Sequence, residues 1–170
     1  MALGDSCEVT RARNHAARIA NMLNLMHSPL EEKVSTLLSI VTTWAQARPE
    51  VSAVALAGSH AHGNARPESD IELVVLSDSP DELRTTHWIG VFGEYSRVDT
   101  EQWGIAPCHR VLDTPHGEVE IGIVPSSWAD ARVDAGTYNV VHDGIIAAHD
   151  PRGLLRTLLA EVLGSKNPSG

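Results

Sequence analysis

Cysteine is nearly absent from this chain of 170 residues. Cys7 and Cys108 are too few for a disulfide framework, and no Cys-x-x-Cys pair points to zinc, so a reducing cytoplasm is the expected setting. No apolar run is long enough to cross a membrane, and the amino terminus, Met1 to Cys7, lacks a secretory apolar core. Positive charge is scarce too: 13 Lys and Arg face 22 Asp and Glu, giving a net charge of −9. That balance argues against an extended nucleic-acid surface, because neutralising phosphates supplies most non-specific affinity. It suits a cationic acceptor or a protein partner. No internal repeat or low-complexity tract interrupts the chain, so residues 1–170 read as one domain around one core.

Against these absences one segment stands out. Val51 to Ala57 is short, apolar and free of Gly and Pro, as expected of a strand covered on both faces. Gly58 ends it with a sharp turn and Ser59 supplies a hydroxyl. If Ser59 to His62 opens a short helix, its free N–H groups and positive end suit a phosphate. Gly63 to Ser69 is rich in turn formers and returns the chain into a strand from Asp70 to Ser77. Residues two apart on a strand share a face, so Asp70 and Glu72 project together while Ile71, Leu73 and Val75 point the other way. Two adjacent carboxylates repel unless a cation lies between them, and such hard oxygen ligands suit magnesium.

A third carboxylate comes from Gly117 to Val124, where alternation sets Glu118, Glu120 and Gly122 against Val119, Ile121 and Ile123. Glu120, between apolar neighbours, is the better choice, because Glu118 abuts the Pro115-His116-Gly117 turn and is expected to be solvated. His60 and His62 are too few for zinc and are expected to line the cleft or contact phosphate. Trp88, Trp103 and Trp128 could stack on a ring, though core packing is the commoner use of such residues.

These residues resemble the DNA polymerase beta superfamily of nucleotidyltransferases, whose signature is a Gly-Ser turn, an acidic-apolar-acidic strand and a third acid on a neighbouring strand. Val51 to Leu76 is especially similar to minimal nucleotidyltransferases, antitoxin-type proteins among them, and to the catalytic domains of aminoglycoside nucleotidyltransferases. The likeness covers about residues 50–125. It implies an α+β nucleotidyltransferase fold, with a mixed central sheet, flanking amino-terminal helices and a carboxy-terminal helix. It further implies a magnesium-dependent enzyme, using two ions, that moves a nucleoside monophosphate from an NTP such as ATP to a hydroxyl and releases pyrophosphate. Asp70, Glu72 and Glu120 would be catalytic and metal-binding; Gly58, Ser59 and Arg66 would hold phosphates. The second and third acids are Glu, where Asp is frequent in the family. The acceptor would be a small molecule or a protein, and the amino-terminal helices, a second subunit in a homodimer or a separate partner would complete its pocket. An antitoxin-like protein that acts by binding a partner, and a structural domain with accidental motifs, remain as alternatives.

The remaining pattern predicts elements around that core. Ser28-Pro29-Leu30-Glu31 reads as a helix start, with Leu30, Val34, Leu37, Leu38, Val41, Trp44 and Ala45 on one face up to Arg48-Pro49. An earlier amphipathic helix is predicted over about residues 8–26. Further expectations are a short helix from Ser79 to about Thr86 and strands over Arg97 to Trp103 and His109 to Asp113 that form a meander with the Glu120 strand. Then come a brief helix at Ser127 to Asp130, a last strand from Val140 to Ala147, and a closing helix capped by Asp150-Pro151 and ending near Gly164. The tail from Ser165 should be mobile.

Overall fold

The computed structural model describes residues 29–103, 106–130 and 135–164. The predicted helix over residues 8–26, the Ser28 cap, Cys7 and the tail from Ser165 lie outside these residues. No helix among the described residues is long and apolar enough to cross a membrane.

A mixed six-stranded sheet forms the centre of an α+β fold, in the order β3-β4-β5-β2-β1-β6. Its strands are β1 (Val51–Ala57), β2 (Ile71–Ser77), β3 (Arg97–Trp103), β4 (Ala106–Thr114), β5 (Gly117–Pro125) and β6 (Ile146–His149). Only β2 with β5 runs parallel; the other four pairings are antiparallel. Every residue of β1 is buried, as its largely apolar run predicts, and the one polar side chain, Ser52, donates to the Leu76 carbonyl at 3.0 Å. The meander β3-β4-β5 also matches expectation.

Strict alternation divides the sheet into two faces. Val54, Leu56, Ile71, Leu73, Val75, Val119, Ile121 and Ile123 pack on one side beneath α1 (Pro29–Gln46), whose Val34, Leu37, Val41, Trp44 and Ala45 are buried at the predicted spacing. Trp88 belongs to this core: it stacks on Trp44 at 4.9 Å and donates Nε1–H to the Leu83 carbonyl at 3.1 Å. The opposite face carries Ala53, Ala55, Ala57, Leu76 and Val124 beneath α3 (Ala135–Asp143) and α4 (Leu154–Gly164). Glu72 and Glu120 lie on this second face, in one row with Ala57.

Several elements differ from the sequence reading. Val140 to Ala147 is not one strand. Thr137 and Val141 are buried at helical spacing in α3, and Gly144, at φ 121°, breaks the chain before β6. The β-branched Val140-Val141 pair mimics strand propensity, but packing against α4 decides. Ser79 to Thr86 gives only one 3₁₀ turn, Pro80–Leu83, because Ser79 makes no side-chain cap bond. A second 3₁₀ turn, Ile89–Phe92, follows it. Ser126–Ala129 is likewise 3₁₀. Helix α4 begins at Leu154, after Gly153 at φ 73°, although Asp150 Oδ2 still accepts the Arg156 N–H at 3.1 Å.

His109 is fully buried on the α1 side of the sheet. Its Nε2–H donates to the Leu83 carbonyl at 3.2 Å, so Nδ1, 2.9 Å from the Thr100 hydroxyl, is the acceptor of the neutral ring. Burial holds the imidazole below its ordinary value of 6.5, and the Leu83 bond only partly opposes this. A depressed folded value means that protons bind the unfolded chain more readily. The stabilisation is therefore complete above the unfolded value and is lost as pH falls through the folded one. Chemical denaturation at about pH 7 and about pH 5 should show wild type losing its advantage over His109→Gln at the lower pH. A pH-independent difference would show that His109 titrates alike in both states.

Candidate active site

The site begins where β1 ends. Gly58 adopts φ 65° and opens α2 (Gly58–His62), a five-residue helix with no side-chain N-cap bond, closed by Gly63 in the left-handed region. The first glycine is fixed twice, by its backbone and by its neighbour. A Cβ there would overlap the Glu72 carboxylate, with Oε2 2.9 Å away. Ser59 turns a buried Oγ inward that meets no hydrogen-bond partner among the described residues. A buried hydroxyl without a partner is costly, and a phosphate oxygen is a chemically suitable one.

The return loop is held by its own backbone. The Arg66 N–H donates to Ser69 Oγ at 2.9 Å, the Ser69 N–H to the Arg66 carbonyl at 3.0 Å, and the Asn64 N–H to the Ser59 carbonyl at 3.1 Å. Arg66 itself is exposed and makes no ion pair among the described residues. Of the two histidines, His60 Nε2 lies 3.4 Å from the Ser69 carbonyl and ties the helix to this loop. His62 faces the other way, towards Gly144, and its ring opposes the charge of Glu72.

Parallel register then sets the acids in rows. Glu72 lies between Ala57 on β1 and Glu120 on β5, and Ile71 pairs with Val119, which brings Asp70 alongside Glu118. One carboxylate oxygen from each of Asp70, Glu118 and Glu120 lies within 4.8 Å of the others. Glu72 stands just outside this trio, with its carboxylate seated over Gly58. Glu120 is buried as expected, whereas Glu118 is half-exposed yet turned into the cluster rather than away from it. Among the described residues no histidine joins the trio. Cys108, on the same face, is kept a thiol by burial, which pushes it up to about 11.

Burial, then Asp70 and Glu120, raise the Glu72 carboxyl above its usual range. Burial also raises Glu120, and its bond to Arg110 pulls it back. Both shifts report anionic groups crowded in a poorly solvated place. An all-oxygen set of this kind fits a hard divalent cation. A cavity of about 730 Å³ lies elsewhere, over α1 between Ser39, Trp44, Arg48, Glu50 and Val91, and contains none of these acids.

Arg110 is absent from the sequence reading. Its Nε and Nη2 reach Glu120 Oε1 at 2.7 and 2.5 Å, and Nε lies 3.1 Å from Glu118 Oε1. A register shift between Val111 and Thr114, with Asp113 at φ 57°, sets Arg110 opposite Glu120. Continued from the Thr114–Gly117 pair without that shift, β4 would set Arg110 opposite Ile121, on the other face. A left-handed non-glycine residue is seldom legible in sequence, and Asp before a Thr-Pro turn is its only trace.

Residues 37–113 match the family model for a nucleotidyltransferase domain. The match includes Gly58, Ser59, Asp70 and Glu72 and stops short of Glu118 and Glu120, which the sheet register supplies. Among solved structures, an aminoglycoside 6-adenyltransferase from Bacillus subtilis aligns at 10% identity and a TM-score of 0.46, over 71% of this chain and 40% of its own. A cytoplasmic RNA terminal U-transferase aligns at 18% identity and 0.46, over 67% and 34%. The chain therefore spans less than half the length of either structure. No curated protein matches it.

Replacing Gly58 by Ala should displace the Glu72 carboxylate and destabilise the fold by about 1–3 kcal/mol, the cost of left-handed backbone at a residue with a side chain. Urea denaturation measures this, and an unchanged midpoint would contradict the close approach of Glu72 to Gly58.

Proposed function

We propose that the nucleotidyltransferase domain in this chain, of the polymerase beta-like kind, transfers a nucleoside monophosphate from a nucleoside triphosphate to an acceptor hydroxyl. The observation that carries this reading is the convergence of Asp70, Glu118 and Glu120 within 4.8 Å, with Glu72 beside them and the unpartnered Ser59 hydroxyl on the preceding turn. The Ser59 turn and the Asp70–Glu72 pair belong to one continuous segment, and β5 sets Glu118 and Glu120 beside it in parallel register.

In the proposed reaction the acceptor oxygen bonds to the α-phosphorus, the bond from that phosphorus to the β-phosphate oxygen breaks, and pyrophosphate leaves. Gly58 and Ser59 hold the terminal phosphates through backbone N–H and hydroxyl donors, and Arg66 supplies a further cationic contact from its exposed loop. Asp70, Glu72 and Glu120 would hold Mg²⁺, with Glu118 near enough to join them. Bound there, two such ions would polarise the phosphoryl oxygens and neutralise their charge. Glu120 takes the proton of the acceptor hydroxyl, a role that its burial among the clustered acids supports. The substrate is ATP in the first instance, and the acceptor a small molecule or a protein. The acidic composition supports a cationic acceptor over nucleic acid.

The test is pyrophosphate release with a panel of nucleoside triphosphates, with and without magnesium. Asp70→Ala and Glu72→Ala should each lower turnover by at least about a hundredfold, comparable to loss of one transition-state-stabilising group. Equal rates in wild type and both variants would sink the reading. Ser59→Ala should raise the nucleotide KM roughly tenfold, the effect of one hydrogen bond to a charged group. An unchanged KM would remove Ser59 from the phosphate grip.

A further inference from the structure

We propose that Arg110 is a positioning residue for this site, which fixes one oxygen of Glu120 and so aims the other into the acid cluster. The inference rests on the transfer reading for its catalytic consequence, and on geometry alone for the placement.

Glu120 emerges from the sheet with its side chain 6% exposed, so few water molecules can order its carboxylate. Both of its bonds to Arg110 end on the same oxygen, Oε1, at 2.7 Å from Nε and 2.5 Å from Nη2. Two donors converging on one acceptor pin Oε1 in place, and Arg110 makes no bond to Oε2. The same Nε lies 3.1 Å from Glu118 Oε1, so one guanidinium sets the spacing of two of the three clustered acids.

The neighbouring strand explains why Arg110 turns this way. Asp99 on β3 is its direct partner in register and is an equally suitable carboxylate. Arg97 occupies it, however, through Nη2 and Nε at 2.8 and 3.1 Å from Oδ2. With Arg97 seated on Asp99, Arg110 reaches across to β5. Arg110 is 39% exposed, so its substitution leaves no cavity in either core.

Positioning and simple charge balance make opposite predictions for a cation. If Arg110 served only to neutralise the cluster, its removal would strengthen cation binding. If it orients Glu120, removal weakens binding, and a lysine, which keeps the charge but not the planar fork, fails as well. Partners that orient a metal ligand typically change affinity or activity by about 10–100-fold when substituted.

The experiment titrates Mn²⁺ alone into the full chain, reading free Mn²⁺ by electron paramagnetic resonance, for wild type, Arg110→Lys and Arg110→Met, with thermal unfolding to confirm that each variant is folded. Both variants should bind Mn²⁺ about 10–100-fold more weakly than wild type. In the transfer assay kcat should fall by a similar factor, with the nucleotide KM within about threefold of wild type. Wild-type affinity in Arg110→Lys, tighter binding in Arg110→Met, or no Mn²⁺ binding by wild type would each overturn the proposal. A wild type that binds Mn²⁺ but turns over no nucleoside triphosphate would refute the transfer reading, and the titration would still decide the role of Arg110.

Discussion

Strands β2 and β5 run parallel and in register, so Asp70 and Glu72 meet Glu118 and Glu120 row against row at one end of a sheet face. The repulsion this creates is large. Two unit charges 4.8 Å apart interact by about 3 kcal/mol at an effective dielectric of about 20, more than a typical exposed ion pair returns. Such a juxtaposition persists because the apolar residues on the other face of both strands, Ile71, Leu73, Val119 and Ile121, are locked beneath α1 in the same register. The core on one side enforces the charge density on the other.

Three local devices accommodate that density. Gly58 leaves room for the Glu72 carboxylate, which can then stand beside the Asp70–Glu118–Glu120 trio instead of inside it. Arg110 adds one positive charge between Glu118 and Glu120. His62 lowers the field at Glu72 from the end of α2. One arginine against four carboxylates still leaves a strongly negative cluster, of the kind that suits a divalent cation.

Much of this was legible in the sequence because it depends on period and adjacency. The alternation of Ile71, Leu73 and Val75 with Glu72 fixes which side of β2 carries the acids, and the largely apolar run of β1 announces a doubly covered strand. Burial of Glu120 followed from its apolar neighbours. The misses share another cause, since each depends on a partner distant in sequence or on a backbone irregularity. Glu118 keeps the partial exposure that its turn implies, but its place in the cluster comes from Asp70, just before β2, and from Arg110 on β4. Val140-Val141 looks β-forming until α4 supplies a surface for a helix. Arg110 depends on a register shift that composition does not encode.

That shift has a bearing on how this protein can vary. Hairpin tips usually absorb insertions and deletions at little cost. Here the extra residue near Asp113 sets the phase of all of β4 upstream of it, so a one-residue change in length would exchange the two faces of that strand. His109 would leave the core for the acidic side as Arg110 was drawn into the apolar one. The hairpin from Val111 to Val119 thus acts as a phase setting for a site several residues away, and a length change at its tip would be felt as a change of chemistry.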